Sequence, residues 1–126
     1  MIRYGYTRQL EPPAPFVHVS LRCESAGTSV LDLPAQVDSA ADRSVIPGCP
    51  VAHLGLECVD ELQVAGLGSE IVTAFAYRVE LTIRGLSPVV AVVIAHDGEP
   101  YVLLGRDILN RYRVVLDAPG LALEIG

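Results

Sequence analysis

Val37-Asp38-Ser39-Ala40-Ala41-Asp42 and Val102-Leu103-Leu104-Gly105-Arg106-Asp107 are the two stretches on which the reading of this sequence turns. Each leaves an apolar run that reads as a strand and passes through a short break toward a short helix. In the first, Ser29 to Val37 is the strand and the polar residues 38–44 are the loop. Val45-Ile46 then resumes as a very short strand. Pro47 opens a helix through Val51-Ala52-His53-Leu54, and Gly55 ends it. In the second, Tyr101 to Leu104 is the strand, Gly105 the break, and Asp107 the cap of a helix through Tyr112. Both halves begin with a hairpin. The echo reads as an internal duplication, or as chance similarity between two small β units.

Working outward, the remaining chain is also β in character. Phe16 to Leu21 is apolar at almost every second position, and Glu24-Ser25-Ala26-Gly27-Thr28 turns it back toward Ser29. Glu61 to Val64 and Ile71 to Ile83 are two further strands, joined through Ala65-Gly66-Leu67-Gly68-Ser69. Arg78 to Arg84 alternates cleanly, which predicts one wet face. Pro88 to Ala95 is nearly all apolar and reads as a strand buried on both faces. Val114 to Leu116 and Leu121 to Ile125 are the last strands, around Asp117-Ala118-Pro119-Gly120. Short strands with frequent turns predict a mainly β barrel or sandwich with one or two short helices. Residues 1–15, with Glu11-Pro12-Pro13-Ala14-Pro15, read as an N-terminal arm before a domain spanning 16–126.

Composition narrows the classes. The chain has 126 residues, 51% of them apolar, which is one domain with a real core and no disordered polymer. Its longest apolar run, Val89 to Ala95, is far below the roughly 18 residues a membrane-spanning helix needs. Nine basic residues, all Arg, stand against fifteen acidic ones, for a net charge of −6. Such a chain is repelled by phosphate and is read as no nucleic-acid binder. The first six residues lack the apolar core of a secretory signal, and Cys23, Cys49 and Cys58 form an odd, unpaired set. A cytoplasmic protein with reduced thiols is the expectation.

In these two stretches and the glycine-bearing hairpin between them, the sequence resembles the retropepsin-like aspartic protease family. That family carries Asp-(Thr/Ser)-Gly-Ala after an apolar strand. Further on it carries two apolar residues and a Gly, commonly followed by Arg and then Asp or Asn, opening a helix. The resemblance runs from about Phe16 to Ile125 and implies a closed acid-protease β-barrel that works as a homodimer on polypeptide substrates, without cofactor. It implies that Asp38 is catalytic. Hydrolysis without a metal or covalent intermediate needs one group to take a proton from water and another to give one to the carbonyl oxygen. Two carboxylates at contact cannot both ionise, so they share a proton and do both. Such a pair titrates as a unit. This chain offers one such loop, so the second Asp38 comes from a twin subunit.

The resemblance also assigns supporting roles. Ser39 bonds across the dimer, a task suited to a hydroxyl that donates and accepts. Ala40 stands where the family most often has Gly, and Ala is tolerable there if its φ is negative. Ala41 completes the active-site loop. Asp42 contacts the substrate main chain and pairs with Arg106, whose planar fork suits a carboxylate. Arg43 lines a substrate pocket or is simply surface. Leu103, Leu104 and Gly105 pack beneath Asp38. Gly66, Leu67 and Gly68 form a flap whose glycines give hinge freedom. Cys49 and His53 stand four apart, but no second pair completes a metal site. Ser20 and Ser44 have no evident base, so no serine hydrolase is read. The rival to an enzyme is a catalytically inactive barrel of the same fold, a dimeric module that binds peptide or protein, for which Ala40 is the main support.

Overall fold

The computed structural model describes residues 1–65 and 70–126. Its strands are β1 (Ile2–Gly5), β2 (Phe16–Cys23), β3 (Thr28–Val37), β4 (Val45–Ile46), β5 (Cys58–Ala65), β6 (Ile71–Ile83), β7 (Val89–Ala95), β8 (Val102–Leu104), β9 (Val114–Asp117) and β10 (Ala122–Ile125). Helix α1 (Gly48–Leu54) follows β4, and helix α2 (Arg106–Leu109) follows β8. Gly55 closes α1 in the left-handed region at φ 69°, as its place after the last apolar residue predicts.

Six strands close a barrel in the order β2-β3-β8-β4-β7-β6, with β6 pairing back onto β2. Strand β5 flanks the long β6 outside the ring. The ring maps onto itself when β2 is exchanged with β6, β3 with β7 and β4 with β8. Antiparallel β2–β3 then falls on β6–β7, and parallel β3–β8 falls on β7–β4. This is the geometry a duplication leaves. It also shifts the correspondence read from the sequence. The Asp38 loop, between β3 and β4, matches residues 96–101, between β7 and β8, and Gly105 matches Pro47.

The core is the inward half of each alternating strand. Val17, Val19 and Leu21 come from β2, Val79, Leu81 and Ile83 from β6, and Val102 and Leu104 from β8. Between them on β6, Arg78 is exposed while Glu80 and Thr82 are half-buried, the wet face its alternation predicts. Strand β7 corrects the expectation of burial on both faces. Val90 and Val92 are 38% and 39% exposed, because no element covers the outside of the ring there. An all-apolar run conceals its period from the sequence. Helix α2 also differs. It begins at Arg106 with Gly105 as its N-cap, so Asp107 is inside the first turn and is not the N-cap.

The expected arm at 1–15 is built into the body. Ile2–Gly5 pairs antiparallel with β10, Ile2 opposite Ile125, and β10 pairs with β9. Tyr6 donates its N–H to the Leu121 carbonyl at 2.8 Å, and Thr7 bridges to the buried Ala14. Ile2, Tyr4 and Tyr6 pack on the core, which is the physical reason the segment does not swing free. Among the described residues no helix is long and apolar enough to cross a membrane.

The strand β6 is shared by the ring closure with β2 and the pairing with β7, so its core residues carry both. Leu81→Ala should lower stability by about 2–5 kcal/mol, as large-to-small core changes do. A urea titration followed by circular dichroism reads it; a loss below half of the lower figure would contradict the packing described.

Candidate active site

The loop after β3 is held by three consecutive backbone residues at the end of β8 and the start of α2. Asp38 donates its N–H to the Leu104 carbonyl at 3.0 Å. The Arg106 N–H donates to the Ala41 carbonyl at 2.9 Å. Arg106 Nη1 then donates to the carbonyls of Ser39 and Ala40, at 2.8 and 3.0 Å. One arginine thus takes three successive loop carbonyls. Between these contacts sits Gly105. A Cβ there would lie 2.6 and 2.7 Å from the Arg43 carbonyl carbon and oxygen, and 3.0 Å from the Ala41 oxygen. Gly105 has φ −89°, so glycine is required for close approach and not for an unusual conformation.

Asp38 is half-buried, and its Oδ1 accepts the Ala40 N–H at 3.1 Å. The Asp38 carbonyl accepts the Ala41 N–H at 3.2 Å, so the loop is a tight turn around this carboxylate. Ser39 and Ala40 are exposed. Ala40 is not among the described positive-φ residues, which are Asp32, Leu121 and three glycines. The alanine is therefore carried without backbone strain. Leu104 is fully buried under the loop, while Leu103 is only half-buried, since it faces away from the core.

The expected Asp42–Arg106 ion pair is absent among the described residues. The guanidinium is spent on the loop carbonyls, and Asp42 is exposed. The carboxylate that does anchor this region is Asp107. Ser44, completely buried, donates its hydroxyl to Asp107 Oδ1 at 2.7 Å and its N–H to Oδ2 at 3.0 Å. Ile108 adds its N–H to Oδ1 at 2.9 Å, and the Ser44 hydroxyl accepts the Gly105 N–H at 2.9 Å. The sequence reading missed this pair. Its one trace is a serine set against the apolar Val45-Ile46, where a buried hydroxyl needs a partner.

A groove of about 450 Å³ runs from Ala40–Arg43 past Val45 and Ile94 to His96 and Glu99. Val64, Ala65 and Val72, at the end of the β5–β6 hairpin, form its opposite wall. The expected flap residues Gly66, Leu67 and Gly68 lie outside the described residues. Among the described residues no three His, Cys, Asp or Glu side chains come together to hold a metal ion. Cys49 and His53 are both exposed.

No protein-family model and no curated protein matches this sequence. Solved structures do. A retropepsin-like aspartic protease from Rickettsia conorii aligns with a TM-score of 0.64 and 14% identity over 97% of this chain and 86% of that one. EIAV protease, solved with the inhibitor HBY-793, aligns at 0.58 with 26% identity over 83% and 92%. The retroviral protease-like domain of Ddi1 from Leishmania major aligns at 0.52 with 18% identity over 87% of each chain.

Two substitutions test the support of the loop. Ser44→Ala leaves Asp107 and the Gly105 N–H short of partners and should cost about 1–3 kcal/mol in a denaturant titration. Gly105→Ala should cost more, because a methyl group meets backbone on two residues. If Gly105→Ala proves the milder of the two, the close approach is misdescribed.

Proposed function

We propose that this chain, retropepsin-like in its fold, is an aspartic endopeptidase that hydrolyses peptide bonds as a homodimer. The observation that carries the reading is Asp38 in a turn clamped by Leu104, Gly105 and Arg106, whose next residues, Ala40 to Arg43, line a groove of about 450 Å³. The similarity to EIAV protease and to the Rickettsia protease supports it.

In this mechanism each subunit brings one Asp38 to a two-fold axis. The two carboxylates hold one proton between them. The ionised member takes a proton from a water as its oxygen attacks the peptide carbonyl. The protonated member gives its proton to the carbonyl oxygen, and the resulting gem-diol collapses with proton transfer to the leaving nitrogen. Exposed Ser39 stands beside Asp38, where a hydroxyl can reach the twin loop. The Ser39 and Ala40 carbonyls are fixed by Arg106, which keeps the carboxylate from drifting. Peptide lies extended in the groove, with Asp42 at its polar wall and strand-like hydrogen bonds along its main chain. The three free cysteines fit a reducing compartment, the cytoplasm.

A binding module of the same fold is the second reading, and Ala40 is what favours it. The negative φ region open to Ala40 weakens that support, since alanine there distorts nothing.

The purified protein should cleave members of a diverse peptide pool between pH 4 and 7, and Asp38→Asn should cleave none. Silence of both proteins across that range, with a dimer present by ultracentrifugation, would favour the binding module. Arg106→Ala should lower kcat at least tenfold while the dimer persists, because the loop loses two of its carbonyl contacts. Unchanged kcat would remove Arg106 from the loop's support.

A further inference from the structure

A second cavity, of about 610 Å³, meets the groove at Asp42 and Arg43, which line both. Its other walls are Arg78 of β6, Val90 to Val92 of β7, and Asp107 and Arg111 at α2. Arg78 and Val92 are cross-strand partners, so guanidinium and valine share the outward face of the ring. Three of the nine arginines of a chain with net charge −6 therefore converge on one cleft. Among the described residues, Arg43, Arg78 and Arg111 reach no carboxylate within 4.0 Å. Arg111 makes only a 3.4 Å contact to the Asp107 carbonyl.

The two carboxylates that line the cleft do not cancel this. Both Asp107 oxygens are turned to Ser44 and the Ile108 N–H. Asp42 alone faces the cleft unengaged. Val90 and Val92 give the cleft an apolar floor on which the methylenes of a glutamate can lie. Planar guanidinium forks above such a floor are suited to carboxylates.

We propose that this cleft docks acidic side chains of a polypeptide whose main chain continues from the groove across Asp42 and Arg43. The proposal deepens the endopeptidase reading and rests on it for the peptide's presence in the groove. It assigns a preference for substrates, or segments of substrates, with Glu or Asp flanking the bound stretch. Binding is then strongest at low salt, since exposed charges are screened.

The test uses the full chain carrying Asp38→Asn, so that peptide binds and is not cut. Fluorescein-labelled peptides share one apolar central stretch and carry three Glu or three Gln, at either the amino or the carboxyl end. Fluorescence polarisation should show one Glu peptide binding about tenfold tighter than its Gln counterpart. That advantage should vanish when Arg78→Gln and Arg111→Gln are added, with an unchanged urea midpoint, and should shrink at high salt. Equal affinity of Glu and Gln peptides at both ends, no binding by any of them, or a Glu advantage that survives the double change would each overturn the proposal. Cleavage by the wild-type chain is read in parallel. Glu-dependent binding without cleavage leaves the cleft standing and removes the endopeptidase. Cleavage without Glu preference does the reverse.

Discussion

The approach of Gly105 to the backbone of Ala41 and Arg43 is the constraint from which the site follows. It brings the end of β8 close enough for Leu104 and Arg106 to take up the loop's N–H and carbonyl groups. A loop between strands must place its polar backbone somewhere. Here the hydrogen bonds go to a neighbouring strand end and not to water, so the turn around Asp38 is specified by the barrel itself. The cost is sequence freedom at position 105, where any side chain collides with backbone.

Ser44 and Asp107 are the complement of that contact. They join the far end of the loop to the first turn of α2, from inside. The Ser44 hydroxyl also satisfies the Gly105 N–H, so the same residue supports both ends of the approach. Each side-chain oxygen of the pair has a partner, which is the condition under which a buried polar network stiffens a structure instead of weakening it. Arg106 is left free of Asp42 as a result, and Asp42 and Arg43 are left facing the two cavities.

Much of this was legible in the sequence because its causes are local. The alternation from Arg78 to Arg84, the Gly55 stop and the Asp38 turn each depend on neighbours within a few residues. What was hidden depends on residues far apart. Ser44 and Asp107 are 63 positions apart, and each alone reads as an ordinary loop serine or a helix cap. Val90 and Val92 belong to a run whose two faces are equally apolar, so no period marks the exposed one. Strand β1 is four residues long and stands before a proline-rich stretch, and its partner lies at the other end of the domain. The convergence of Arg43, Arg78 and Arg111 is likewise a product of topology.

The pairing of β1 with β10 has a consequence for the order of assembly. Ile2 finds its partner only when Ile125 exists, so β1 can be placed only after the far end of the domain has been made. Contacts at that sequence distance carry a large loop-closure cost and slow folding. The ring of β2, β3, β4 and β6 to β8 can close earlier, from pairings of shorter span. Until β10 is in place, Ile2 and Tyr4 lack the core packing they have in the finished fold.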